Sequence, residues 1–372
     1  MKDTVNYPIR ILHFVPYMQA AGTETYIMNM YRNINRSKVQ FDFVVHSANE
    51  GYYDKEIKRL GGRIYYMTVK DDKNIFKYIH DLRKLFKNHK EYKIVHSAMP
   101  SLAFLYLFIA KMYKIPIRIA HSHSASYEKS FKGIIKHITT KLIPFSANQY
   151  FACSTESGRY MFGKRKFMLL NNAIDLDKFS FNETIRTKIR KEFNISNDTF
   201  VIGHVGRFSS EKNHIFMLNI LKELINKNKK IMLIFVGTGA LENSIKEKTA
   251  EMKLEKNVLF LGVRNNVNEI IQAFDIQILP SLFEGLPITL VESQANGLIT
   301  YCSNNVSPEI DLTDRITFLP LDEKKWIEKI AGTHQKYNRN KFNKTNLYEK
   351  YDVRIEARRL QDKYFSLLEG GR

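Results

Sequence analysis

The sequence predicts an α/β protein made of two Rossmann-like, doubly wound domains facing across a cleft. Three observations predict this. Short apolar runs alternate with helix-length segments almost from the start. A polar, charged stretch over 174–199 interrupts that rhythm, which then restarts. The chain has 372 residues, more than one ordinary hydrophobic core accommodates.

The first set of runs is RILHFVP, FDFVVHS, RIYYMT, KIVHSA, IRIAHSH, QYFACS and FMLLNN. Near-continuous apolar runs of this length suit strands buried on both faces, as in a parallel sheet. The segments between them, such as 24–35, 75–88 and 102–113, are long enough for right-handed helical crossovers. The second set is TFVIGHVGR, IMLIFVG, VLFLG, IQILPS and LITYCS, and it repeats the order. Repetition argues for a second doubly wound domain. The expected division is an N-terminal domain over 1–173 and a C-terminal domain over 174–348. Helix-spaced apolar residues near the end (Ile355, Leu360, Tyr364, Leu367, Leu368) predict a helix over 349–372 that returns to the N-terminal domain. Ser154 ends the run QYFACS and is placed to cap the helix after it.

Composition excludes several classes. Apolar residues make up 44% and charged residues 26%, a soluble globular balance. The start MKDTVNYPIR has no apolar core of a secretory leader, so a cytoplasmic protein is expected. The stretch 102–110 is the most apolar. It falls well short of the roughly 20 residues that span a bilayer and reads as a buried helix. Cys153 and Cys302 sit in strand-like runs without metal-ligand spacing and read as small core residues.

With 58 Lys and Arg against 38 Asp and Glu, the formal charge is +20. Nucleic acid, an anionic membrane surface and phosphorylated substrates are the partners such a charge suits. No base-reading module is present, which argues against nucleic acid. The segment 125–148 interleaves Lys129, Lys132, Lys136 and Lys141 with Phe131, Ile134, Ile135, Ile138 and Leu142. It reads either as a basic amphipathic helix on an anionic bilayer, peripheral at the inner face of the plasma membrane, or as an ordinary helix packed on the sheet.

Four motifs carry chemistry. In LPSLFEGLPITLVESQANG, over 279–297, a strand ends in a loop and a helix begins near Leu286 or Pro287. Proline suits a helix's first turn, and a helix N-terminus at the carboxyl end of a strand attracts phosphate. Glu284 precedes the helix and Glu292 lies inside it. Carboxylates beside a pyrophosphate repel it and suit uncharged hydroxyls such as a ribose diol or a sugar ring. In VIGHVGRFSSEKNH, over 201–214, Arg207 and Lys212 stand at a strand-to-helix turn, where two cations make a phosphate clamp. In VPYMQAAGTETYIMNMYRNI, Gly22 sits in the first strand-to-helix turn and permits close backbone approach. In IRIAHSHSAS, His121 and His123 lie two apart at a strand's carboxyl end, hence on one side of it if the strand continues. No third ligand accompanies them for a metal.

Residues 280–292, PSLFEGLPITLVE, resemble the E-x7-E motif of glycosyltransferase family 4 along their whole length. The strings RILHFVP, NMYRNI and FDFVVHS are similar to exopolysaccharide and capsule glycosyltransferases of the EpsF type. The resemblance covers roughly residues 8–320. It implies the GT-B fold and retaining transfer from a nucleotide-sugar, UDP being the first expectation, to a glycan or lipid-pyrophosphate-linked acceptor. It implies that Arg207, Lys212, Gly22 and the turn Gly285-Leu286-Pro287 hold the diphosphate. Glu284 meets the transferred sugar, Glu292 the ribose, and His123 or His121 faces the sugar. The family's Gly-Gly before the first helix is Ala21-Gly22 here, which weakens Ala21 but not Gly22. The segment Asn171-Asn172-Ala173-Ile174-Asp175 resembles the family's interdomain hinge. No D-x-D strand end is present, so neither a metal nor a separate cofactor is expected. A nucleotide-sugar epimerase of the same fold and a non-catalytic binder of sugars or polyanions are the rival readings.

Overall fold

Strands buried on both faces bury continuous apolar surface, and the computed structural model gathers the apolar runs into two parallel sheets. It describes residues 8–19, 22–68, 74–99, 102–123, 139–227, 230–333 and 337–370. The chain divides into two compact units, Met1–Ile174 with Lys350–Arg372, and Asp175–Glu349.

The first unit holds β1 (Ile9–Val15), β2 (Val39–Val45), β3 (Ile64–Tyr66), β4 (Ile94–Ser97), β5 (Ile117–Ser122), β6 (Gln149–Ala152) and β7 (Met168–Leu169). Their order is β3-β2-β1-β4-β5-β6-β7. The order reverses between β1 and β4, where an open doubly wound sheet has its crevice. Alternation along the strands divides the core in two. Ile11, Val15, Phe41, Phe43, Ile94 and Ile119 face one side, with buried residues of the helices Gly22–Asn33 and Val353–Gly370. Leu12, Phe14, Val44, Val95 and Ala120 face the other, with the helices Ile75–Asn88 and Ala103–Met112. The final helix places Val353, Ala357, Leu360 and Tyr364 in the first of these cores.

The second unit holds β8 (Phe200–Val205), β9 (Ile231–Val236), β10 (Val258–Phe260), β11 (Ile276–Leu279), β12 (Ile299–Ser303) and β13 (Ile316–Leu319). The order β10-β9-β8-β11-β12-β13 reverses between β8 and β11.

Several local expectations change. The apolar stretch 102–110 forms the helix Ala103–Met112, but it is not wholly buried: Phe108 is 42% and Met112 56% exposed. The polar stretch 174–199 contains a helix, Glu183–Glu192, whose Asn182 cap accepts the Ile185 N–H. Its arginines hid it from an apolar count: Arg190 is itself buried and donates to the carbonyl of Ala273. The strand β13 was not anticipated, because its four residues are only half-buried at a sheet edge. Cys153 and Cys302 are buried free thiols. Ser154 caps the helix Thr155–Phe162 through a reciprocal pair with Ser157. Among the described residues, no helix is long and apolar enough to cross a membrane. Most of the basic segment, from Lys129 to Ile138, lies outside the described residues.

Candidate active site

Within the second unit, two loops leave the carboxyl ends of β8 and β11, the strands that flank the order reversal. The loop after β8 carries Arg207 and Lys212, and the loop after β11 carries Glu284. They are tied together, because the Leu282 N–H donates to the Glu211 carbonyl. Lys212 Nζ then pairs with Glu284 Oε1, with side-chain exposures of 13% and 18%. Glu284 is pinned through its backbone as well: its N–H donates to Asn305, and its carbonyl accepts from Ser307. Arg207 is exposed, and no ion pair or side-chain hydrogen bond engages its guanidinium among the described residues. The Glu211 carboxyl between the two cations is held below the usual carboxylate range, first by the Ser209 side chain and then by Lys212 and Arg207.

Glycines let these loops approach. A Cβ on Gly237 would stand 2.0 Å from the Gly206 carbonyl oxygen, and one on Gly239 2.4 Å from that of Phe208. Gly237 also has φ +138°, open only to glycine. The Phe208 N–H donates to Thr238, which clamps the loops after β8 and β9 side by side. These two glycines were missed in the sequence; the string VGTGA after a strand was the available signal. Beneath the loop, His214 stacks on Phe208 at 4.3 Å. Burial, then nearby Lys212, lowers the His214 pKa to about 4. It is a neutral support, not a third cation.

Gly285, Leu286 and Pro287 lead into the helix Ile288–Ala295. The helix begins slightly later than expected. Pro287, at φ −70° and ψ 119°, is its N-cap, and the extended ψ keeps Leu286 and Pro287 outside the helix. The first-turn N–H groups of Ile288 and Thr289 have no intrahelical acceptor, so the anion-attracting end lies at the carboxyl edge of β11. Glu292 is half-buried one turn inside. Burial raises its carboxyl to about 8 with no cation to oppose it.

The remaining predicted residues lie in the first unit. Gly22 opens the helix Gly22–Asn33, is exposed, and has open space where a Cβ would project; Ala21 lies outside the described residues. His121 is the fifth residue of β5, and His123 follows the strand. Their rings lie 4.0 Å apart, so they do share one side. His121 is buried and His123 half-buried with its ring nitrogens closed off from solvent, and desolvation holds both neutral, His123 at about 4. Among the described residues neither nitrogen of His123 is within hydrogen-bond geometry of a partner; the Asn172 side chain lies near enough to offset part of the lowering of its pKa. Sequence reasoning missed the residues behind this pair, namely His13, Tyr26, His96 and Tyr364. The signal was a histidine near the end of three neighbouring strands (ILHFV, IVHSA, IAHSH). Among the described residues, no group of His, Cys, Asp and Glu could hold a metal ion.

The model of glycosyl transferases group 1 matches residues 185–314, and that of glycosyltransferase family 4 matches residues 20–178. EpsF of Bacillus subtilis (strain 168), which bears a glycosyltransferase name, is 33% identical over 333 residues, 87% of each chain. The UDP-Gal:alpha-D-GlcNAc-diphosphoundecaprenol alpha-1,3-galactosyltransferase of Escherichia coli is 30% identical over 250 residues, 63% of this chain and 62% of that one. The capsular polysaccharide biosynthesis glycosyltransferase CapH of Staphylococcus aureus is 25% identical over 369 residues, 96% and 99% of the two chains. In fold, HepE of Anabaena, solved with UDP and glucose, superposes with a TM-score of 0.80 at 14% identity, covering 96% of this chain and all of that one.

Proposed function

This chain belongs to glycosyltransferase family 4 and is a glycosyltransferase of the GT-B fold, and we propose that it transfers a sugar from a UDP-sugar, with retention and without a metal, to a lipid-pyrophosphate-linked or glycan acceptor in exopolysaccharide or capsule synthesis. One observation carries the reading: Lys212 and Glu284, 72 residues apart in sequence, meet at the carboxyl edge of the strands flanking the sheet reversal. A cation for the leaving diphosphate and a carboxylate for sugar hydroxyls are thereby neighbours. The named activities of the Escherichia coli and Staphylococcus aureus relatives support the donor, acceptor and pathway class.

In this reading Lys212, Arg207, Gly22 and the turn Gly285-Leu286-Pro287 receive the diphosphate. Cations and helix N–H groups stabilise the charge that grows as the glycosyl–phosphate bond breaks, which lowers the barrier without a metal. Lys212 exchanges its Glu284 partner for phosphate, and Glu284 turns to sugar hydroxyls. Glu292 accepts from the ribose, and His123 or His121 faces the transferred sugar. The acceptor oxygen bonds to the anomeric carbon on the face the diphosphate leaves. The departing phosphate oxygen takes the acceptor's proton, and UDP is released. Thermal-shift screening with UDP-, GDP- and ADP-sugars, followed by anomer analysis of the product in EDTA, tests the whole reading. A stabilisation by UDP-sugars and a product of unchanged anomeric configuration are expected. Inversion, or loss of turnover in EDTA, rejects it.

We place the protein on the cytoplasmic face of an anionic membrane. Phe108, Met112, Leu142 and Phe145 are 42%, 56%, 38% and 67% exposed, and exposed Lys111, Lys114 and Lys141 accompany them. Apolar rings among lysines suit a bilayer of acidic lipids. Flotation with phosphatidylglycerol vesicles at moderate salt is expected to carry the protein; failure to float removes the membrane from the proposal.

A further inference from the structure

Over β1, β4 and β5, the sheet face that packs against the helices Gly22–Asn33 and Val353–Gly370 is apolar except for a row of histidines. His13 on β1 pairs in register with His96 on β4. His96 is in register with Ile119 on β5, and His121 lies two residues beyond on the same face. Ring centroids are 4.8 Å apart for His13 and His96 and 5.2 Å for His96 and His121. Hydrophobic side chains would fill such positions at lower cost than rings whose nitrogens go unpaired. The row therefore invites a functional account.

Its hydrogen bonds run in one line. Tyr364 of the final helix lies 2.7 Å from His96 Nδ1, and His96 Nε2 lies 3.1 Å from His121 Nδ1. The far nitrogen, His121 Nε2, has no partner among the described residues. Direction follows from the phenol. Tyr364 is fully buried, and burial raises its pKa well above the ordinary value, so it keeps its proton. His96 Nδ1 is the partner the structure provides for that O–H, so Tyr364 donates and Nδ1 accepts. The His96 proton must then sit on Nε2, which donates to His121 Nδ1. The His121 proton is in turn displaced to Nε2.

We propose that Tyr364 and His96 are positioning residues which fix His121 as an Nε2–H donor beside His123, so that the carboxyl-terminal helix sets the polarity of the histidine pair at the carboxyl edge of β5. This rests on the reading above that His121 or His123 meets the transferred sugar. Nε2 is itself closed off from solvent, so a fixed N–H there presents a dipole of one sense only to the neighbouring His123 ring, 4.0 Å away. A ring free to exchange tautomers would spend part of its time presenting a lone pair. His13, with both nitrogens unpaired among the described residues, stacks on the relay without belonging to it.

The test separates the relay from the activity. Protein labelled with [15N]histidine is observed by NMR at pH 8, with His96→Gln and His121→Gln used for assignment. Wild type is expected to show His96 and His121 as Nε2–H tautomers. Tyr364→Phe keeps the ring's packing and removes the donor, and is expected to populate the Nδ1–H form of His121. With UDP-galactose and UDP-glucose as probes, the same variant is expected to lower kcat about tenfold and leave the donor KM within about twofold. His96→Asn, which breaks the line in its middle, should do the same. An Nδ1–H tautomer of His121 in wild type, or an unchanged spectrum in Tyr364→Phe, overturns the relay whether or not either sugar is turned over. A tautomer change with undiminished kcat overturns the positioning role alone. Absence of UDP release by wild type rejects the functional reading and leaves the spectrum to decide the relay.

Discussion

The loops of the second unit and the histidine face of the first occupy the same topological place, yet they treat polar groups in opposite ways. At the carboxyl ends of β8 and β11, charge meets charge at a partly open edge, as Lys212 and Glu284 show. At β1, β4 and β5, the polar groups are neutral rings against an apolar core, several with nitrogens unpaired among the described residues. A paired, solvent-reachable cation can exchange its partner for a phosphate. A buried neutral ring keeps its geometry and can only orient a ligand. The difference teaches that one unit keeps paired charge at its strand ends while the other buries neutral rings there.

The contrast breaks most readily at Lys212. Lys212→Ala is expected to lower kcat for UDP release from the best UDP-sugar by about 10²–10³, with some fall in Tm as well, because the pair is mostly buried and its loss leaves Glu284 without its cation; Lys212→Met, which keeps the packing, is expected to lower kcat as far. Wild-type turnover in that variant would mean that the charged loops are merely structural.

Glu292 sharpens the contrast, because it is the carboxyl of the charged unit that behaves like the buried rings. Its folded pKa, about 8, lies above the ordinary carboxylate value. The folded state therefore holds a proton that the unfolded state has released between about pH 4.5 and 8. Its contribution is fully present below that window and is lost as pH rises through it. Glu292→Gln should raise Tm at pH 8.5 by about 2–4 °C per kcal/mol recovered and leave Tm at pH 4 unchanged. The same variant should weaken UDP binding about tenfold, read by calorimetry at pH 8. An equal Tm difference at both pH values would show that Glu292 ionises normally.

The smallest effect is at His13, whose pKa burial lowers to about 3. Here the unfolded state binds the extra proton, so stability is present above about pH 6.5 and is lost as pH falls toward 3. His13→Leu should gain about 2 kcal/mol over wild type at pH 5 relative to their difference at pH 8, measured by urea unfolding. A pH-independent difference would place a proton on the folded His13 and spoil the picture of a neutral face.

How far the sequence could be read follows from these same residues. The strand runs RILHFVP and FVIGHV announced two sheets, because strands covered on both faces must be apolar throughout. The comparisons agree with the fold class. Lys212 and Glu284 were legible as motif residues, but their contact depends on the order β8-β11, which no local pattern encodes. The helix Glu183–Glu192 was hidden because its arginines bury their charge against carbonyls instead of presenting an apolar stripe.

By itself the sequence determined what depends on periodicity and local chemistry. That covers the alternation of strands and helices, the Ser154 cap, and the cations and carboxylates placed at strand ends. Only the tertiary structure decided which of these meet. Gly237 must be glycine because the Gly206 carbonyl arrives from another strand. Tyr364 joins His96 across 268 positions because the final helix returns to the first sheet. Hydrogen bonds and steric contacts act over a few ångströms of space, and sequence separation does not measure that distance.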